Sequence, residues 1–173
     1  NKEFPICMLD LLTIQKTWHL TPIISTRVPE TGAIHQTLLI TTEKAAYALR
    51  AYCFTEQERW RIEYEHTIIR YAISQGLPAL LPIPLAETGE TIFLYQDHFY
   101  ALFPFAPGYQ KKRGRFTADE LTTLGSFLGR LQYGLHDYPQ SQVYERILSV
   151  DSEKTLAKME QIEIVIRTKK KLD

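Results

Sequence analysis

Hydrophobic and polar positions along this chain change period several times, and each change marks an element. From Ala45 to Tyr52 the residues alternate. Tyr47, Leu49 and Ala51 face one way, and Ala46, Ala48 and Arg50 face the other, so one strand face carries two alanines and an arginine. At Thr55 the period lengthens to a helical one. Thr55-x-x-Glu58 is a capping-box pattern, and the helix runs to about Gln75, where Gly76-Leu77-Pro78 ends it. At about 100° per residue, Trp60, Ile62, Tyr64, Ile68, Ile69, Tyr71, Ala72 and Ile73 share one broad apolar arc. Glu63, His66, Thr67, Arg70 and Ser74 fall on the polar side. Glu65 is the exception, a carboxylate in the middle of the apolar arc.

The same reading orders the rest of the chain. Residues 4 to 16 suggest a short amphipathic helix after Pro5, and Trp18 to Val28 a first strand. Pro29-Glu30-Thr31-Gly32 signals a turn, Ile34 to Thr42 a second strand, and Glu43-Lys44 the turn into the arginine-bearing third. After a proline-rich connection from Leu77 to Leu85, Thr91 to Gln96 and His98 to Phe105 predict a hairpin joined at Asp97. Thr117-x-x-Glu120 is a second capping box, followed by leucines at helical spacing that read as core packing. Gly125 and Gly129 on that helix would admit a close neighbour, and residues 152 to 170 predict a last helix. The class is α+β, with a sheet of about five antiparallel strands.

A carboxylate on a core-facing stripe needs a partner, because burying it unpaired is costly. Arg61, four residues earlier on the same helix, is the ordinary choice. Arg50, on the open alanine face of the preceding strand, is the other. A strand cation that follows a small residue by two and pairs with a helix glutamate is the nucleotide-gripping device of protein kinases. The stretch Tyr47-Ala48-Leu49-Arg50 has that form, with arginine in place of lysine.

Together with YALRAY (47 to 52), Glu65 followed by Gly76-Leu77-Pro78, and FAPG (105 to 108), this resembles the aminoglycoside phosphotransferase and choline/homoserine-kinase-like group, which shares the protein-kinase fold. The helix segment LGSFLGRLQ (124 to 132) matches less well, with Gln132 where that group usually has histidine. The resemblance covers roughly residues 18 to 137. It implies a kinase-like N-terminal lobe over 1–107 and the helical start of an incomplete second lobe over 108–173. It also implies ATP as the nucleotide, with Mg in the complete family enzyme, and a small-molecule hydroxyl as acceptor.

Carried residue by residue, the resemblance makes Arg50 the phosphate-holding cation and Glu65 its orienting partner, with Ala48 leaving room for adenine. Phe103 would stand at the gate of the adenine slot, the Pro104 carbonyl would accept from the base, and the Ala106 N–H would donate to it. Proline is tolerable at 104, where only a carbonyl is needed. A plain edge strand ending in a Pro-Gly turn is the competing reading of 103–108. Gly32 stands in the turn that covers the phosphates in the family, with His35 where asparagine is frequent there. A plain hairpin is the simpler reading of that single glycine. Lys111, Lys112, Arg113 and Arg115 read first as a solvated linker and second as an anion contact.

Composition narrows the alternatives. Lys plus Arg and Asp plus Glu are both 20 in 173 residues, so no net field favours nucleic acid or an anionic membrane. The most apolar run, 76 to 85, holds three prolines and cannot span a bilayer as a helix. Cys7 and Cys53 lack metal-ligand spacing and read as reduced thiols of a cytoplasmic protein, and the five histidines show no paired spacing.

The family's catalytic H-G-D-x-x-x-x-N motif is missing from these residues: the only asparagine is Asn1, and His136-Asp137 runs into Tyr138-Pro139. Three explanations compete. The first is a fragment of a phosphotransferase, inactive by itself; the second is a non-catalytic lobe binding nucleotide or a protein partner; the third is an unrelated α+β binding domain. A lobe without its partner would expose apolar surface, so self-association through the helical half is expected.

Overall fold

A computed structural model of the chain describes residues 9–29, 35–108, 111 and 114–139. Helix α1 (Leu11–Thr17) is followed by strands β1 (Ile23–Arg27), β2 (Gln36–Thr42) and β3 (Ala46–Tyr52), then helix α2 (Arg59–Ser74). Strands β4 (Phe93–Tyr95) and β5 (His98–Pro104) form a hairpin, and helix α3 (Ala118–Leu135) closes the described part. The described residues up to 137 cluster as one unit. The helix expected over 152–170, Gly32, Cys7, Lys112 and Arg113 lie outside the described residues.

The five strands form one antiparallel sheet in the order β1-β2-β3-β5-β4. Strand alternation gives it two buried faces. On one, Ile40, Leu49, Ala51, Tyr100 and Leu102 pack beneath Leu9, Ile14 and Trp18. On the other, Tyr52, Phe99, Ala101 and Phe103 pack against Ile62 of α2 and Ile92.

Local chemistry sets the boundaries. Asp10 caps α1, its carboxylate accepting from the Thr13 N–H at 2.9 Å and the Thr13 hydroxyl at 2.6 Å. The first strand begins later than the pattern predicts, at Ile23 instead of Trp18. Trp18 is the C-cap of α1, 5 % exposed, and its indole N–H donates to the Ile83 carbonyl at 3.3 Å. Its burial comes from the helix and from residue 83, which local periodicity cannot register. The β4–β5 turn uses Gln96 and Asp97, both with positive φ (47° and 62°), as a two-residue hairpin with the sheet's own twist requires.

Helix α2 is entered through a 3₁₀ turn, Glu56–Glu58, where the Glu58 carboxylate accepts from the Thr55 N–H and hydroxyl, both at 3.2 Å. It ends at Gly76, φ 73°. There the Gly76 N–H donates to the Ile73 carbonyl (2.9 Å) and the Leu77 N–H to the Ala72 carbonyl (3.0 Å), a Schellman close with Leu77 buried beside it.

Helix α3 has the predicted capping box, with the Thr117 hydroxyl accepting from the Glu120 N–H and the Glu120 carboxylate from the Thr117 N–H. Its leucines are not core packing among the described residues: Leu121, Leu124 and Leu128 are 53 %, 44 % and 52 % exposed. Nor, among the described residues, does anything stand within 4 Å of a Cβ built at Gly125 or Gly129. The close approach is at Gly134, where an added Cβ would stand 2.9 Å from a Leu77 methyl.

Candidate nucleotide site

Six residues singled out from the sequence line one cavity of about 430 Å³. They are Ala48, Arg50, Glu65, Phe103, Pro104 and Ala106; Thr37, Leu39, Ile69, Leu80 and Phe105 complete the wall. The register explains the gathering. Leu39 lies opposite Ala48, Ala48 opposite Phe103, and Thr37 opposite Arg50, and directly opposed residues share a sheet face. Ala48 contributes only a methyl, so the row is recessed between larger neighbours.

The Arg50 guanidinium donates to the Glu65 carboxylate at 2.5 Å, with both side chains 34 % exposed. Arg50 also lies over the Phe103 ring at 5.0 Å and the Tyr52 ring at 5.7 Å, and these contacts fix its direction. Of the two partners open to Glu65, Arg50 is the one it takes; Arg61 pairs with Glu58 at 3.3 Å.

At the cavity's rim the Phe105 N–H donates to the Ala46 carbonyl at 3.0 Å. Strand alternation therefore turns the main chain of Pro104 away from β3, where a missing N–H costs nothing.

Behind the ion pair stands a residue the sequence reading misassigned. His66, placed on the polar arc, is fully buried. Its Nε2 lies 3.3 Å from the Tyr52 hydroxyl and its Nδ1 2.8 Å from the Thr91 hydroxyl. Each hydroxyl can donate or accept, so either tautomer of the neutral ring is satisfied. Burial lowers the His66 pKa to about 4, against which the Glu65 charge works only in part. Burial likewise raises the Tyr52 phenol well above its usual range, helped by the Glu65 charge.

The helical stripe that meets the sheet runs through Ile62, His66, Ile69 and Ala72, with Glu65 at its edge. The available signal was the i, i+4, i+7 spacing of 62, 66 and 69. His35 joins the aromatic cluster, 4.9 Å from the Tyr52 ring and 5.0 Å from the Phe54 ring; its Nδ1 accepts from the Cys53 N–H at 3.4 Å. Its pKa is lowered by burial first and by the Arg50 charge second.

Elsewhere, a hollow of about 720 Å³ lies between the end of α2 and α3. His136 and Asp137 stand there as an exposed neighbouring pair at 2.9 Å, not as part of a catalytic cluster. Lys111, from the basic loop, is held by the Glu120 carboxylate, whose pKa that hydrogen bond lowers. Among the described residues Cys53 is a free, exposed thiol, and no group of three or more His, Cys, Asp or Glu side chains is placed to hold a metal ion. Among them, too, no helix is long and apolar enough to cross a membrane.

Comparison with known proteins follows the same line. No protein-family model matches the chain. Stress response kinase A of Salmonella typhi is 31% identical over 81 residues, covering 45% of this chain and 24% of that protein. The serine/threonine protein kinase RdoA of Salmonella typhimurium matches to the same extent. The match thus spans about a quarter of these curated relatives' length. Among solved structures, an amicoumacin kinase in complex with AMP-PNP, Ca²⁺ and Ami aligns with a TM-score of 0.63 at 18% identity, over 95% of this chain and 55% of that one. A spectinomycin phosphotransferase in complex with ADP and spectinomycin aligns with a TM-score of 0.57 at 14% identity, over 72% and 36%. With its five-stranded antiparallel sheet and packed helices, the chain has the α+β fold of a kinase-like N-lobe, the fold that it shares with part of the amicoumacin kinase and of the spectinomycin phosphotransferase.

Proposed function

We propose that the cavity on the α2 face binds ATP, and that these residues form the nucleotide lobe of a phosphotransferase acting on a small-molecule hydroxyl. One observation carries the reading: the Arg50–Glu65 pair opens onto a cavity whose other walls are Ala48, Phe103, Pro104 and Ala106. A recessed apolar row suits a flat purine ring. The Pro104 carbonyl and the Ala106 N–H supply main-chain recognition of its edge, and Arg50 supplies a fork for phosphate oxygens. Glu65 keeps that fork aimed. The nucleotides named with both aligned kinases support the assignment by analogy of fold.

The chemistry of transfer requires a base and metal-holding groups that these 173 residues do not supply in the family's pattern. The described residues likewise do not fit a magnesium site, since Glu65 alone faces the cavity and is taken by Arg50. The reading therefore assigns nucleotide binding to this chain and phosphoryl transfer only to a protein that also carries such groups. Residues 1–107 are the nucleotide lobe in this proposal, with a helical segment from 108. A cytoplasmic location is part of the same proposal, resting on the two cysteines read as reduced thiols and on the resemblance.

Calorimetric titration of the chain with Mg-ATP tests this. Weak, saturable binding is expected, and Arg50→Ala weakens it with the far-UV circular dichroism unchanged. Equal affinity in that variant removes Arg50 from the site; no heat with the wild type removes the reading.

The exposed leucines of α3 favour a second role, docking onto a partner or a second copy through that face. Light scattering showing a clean monomer at high concentration argues against self-association.

A further inference from the structure

The walls of the nucleotide cavity carry one cation and one anion, Arg50 and Glu65, and these two neutralise each other. A nucleoside di- or triphosphate bears several negative charges, so a lobe that holds one gains from a further cation on the same face. The sheet register identifies it. Phe103 lies opposite Ala48, Ala48 opposite Leu39, and Leu39 opposite Arg27 of β1. These four residues form one row across four strands on the cavity face, apolar except at its end.

Arg27 also lines a second hollow, of about 310 Å³, that shares Leu39 and Phe105 with the first. It is exposed, and among the described residues it has no ion-pair or hydrogen-bond partner. Its Cα stands two strand spacings, about 10 Å, from that of Ala48, and the long arginine stem lets the guanidinium lie over Leu39 toward the cavity mouth. Lys111, the described basic-loop lysine, is not available in the same way, being paired with Glu120.

We propose that Arg27 is a second phosphate-binding residue of this cavity, gripping the nucleotide's phosphates from β1 while Arg50 grips them from β3. This rests on the nucleotide reading above and adds to it a named contact on a strand that reading does not use. The guanidinium acts as a planar fork for phosphate oxygens, and the contact is absent for an uncharged nucleoside.

The test compares adenosine, ADP and ATP binding to the full chain by calorimetry, in the wild type, Arg27→Gln and Arg27→Lys. The expected result is a loss of roughly tenfold in ADP and ATP affinity for Arg27→Gln, partial recovery in Arg27→Lys, and no change for adenosine. Arg27 is exposed on an edge strand, so circular dichroism of both variants should match the wild type. An arginine that only guards the sheet edge leaves all three affinities unchanged, and that overturns the proposal. A parallel loss for adenosine overturns it too, because the contact is then with the base or the fold. Binding of none of the three ligands by the wild type removes the nucleotide reading itself, and this inference with it.

Discussion

The two faces of the sheet are built from the same strands and do opposite work. Under α1, Ile14, Ile40, Leu49, Ala51, Tyr100 and Leu102 are sealed from water, and Trp18 is nearly so. Under α2 the same strands present Tyr52, Arg50 and Ala48, the helix answers with His66 and Glu65, and a cavity stays open beside them. Strand β3 serves both at once: Leu49 and Ala51 close one face while Ala48 and Arg50 furnish the other. Both faces hold buried apolar cores, but the one under α2 also accommodates buried polar groups and an unfilled recess, at some cost in stability.

The sharpest way to separate the faces is to mutate neighbours on β3. Leu49→Ala empties a fully buried site and should cost about 2–5 kcal/mol in urea unfolding, with nucleotide affinity of the folded protein unchanged. Its neighbour Ala48→Leu should do the reverse, abolishing ATP binding by filling the slot at little cost in stability. If Leu49→Ala loses binding at full folding, or Ala48→Leu retains it, the division of labour fails.

The next effect is pH dependence. His66 has its pKa lowered to about 4 from an ordinary value near 6.5, so the unfolded chain takes up the proton first as pH falls. Its contribution is fully present above about pH 6.5 and is lost as pH drops toward 4, roughly 3 kcal/mol across that window. Urea midpoints at several pH values should show a shallower acid slope in His66→Leu than in the wild type. Identical slopes would mean that the His66 pKa is the same folded and unfolded, and would overturn the lowered value.

Arg50→Ala should weaken nucleotide binding by about tenfold or more while changing stability by no more than about 1 kcal/mol, because the pair is a third exposed and screened by solvent. Binding and unfolding measured on the same preparation check both halves. The smallest effect expected is Thr117→Ala, which removes the α3 cap and costs about 1 kcal/mol or less, read as lost helix signal at 222 nm.

Much of this architecture is legible in the sequence. The five strands, the two long helices and their caps follow from alternation, helical spacing, Thr-x-x-Glu and Gly-Leu-Pro, all of which act within a few residues. The pairing of Glu65 with Arg50 was one of two partners the pattern left open, and strand–helix packing chose between them. His66 was misread because a wheel assigns residues to arcs by polarity, whereas the sheet beneath supplies a phenol and the 91 loop a hydroxyl. Arg27 drew no notice in sequence, since an exposed cation on a first strand is unremarkable until three registers align it with Ala48 and Phe103.

By itself, then, the sequence determined where elements begin and end and which residues share a strand face, because capping, turn chemistry and side-chain alternation are local. Only the tertiary structure decided which face is covered by what: Trp18 under residue 83, Leu77 against Gly134, His66 between Tyr52 and Thr91, and the leucines of α3 left open. Those outcomes depend on partners tens of residues away, brought together by burial, a force that is non-directional and leaves no period in the chain.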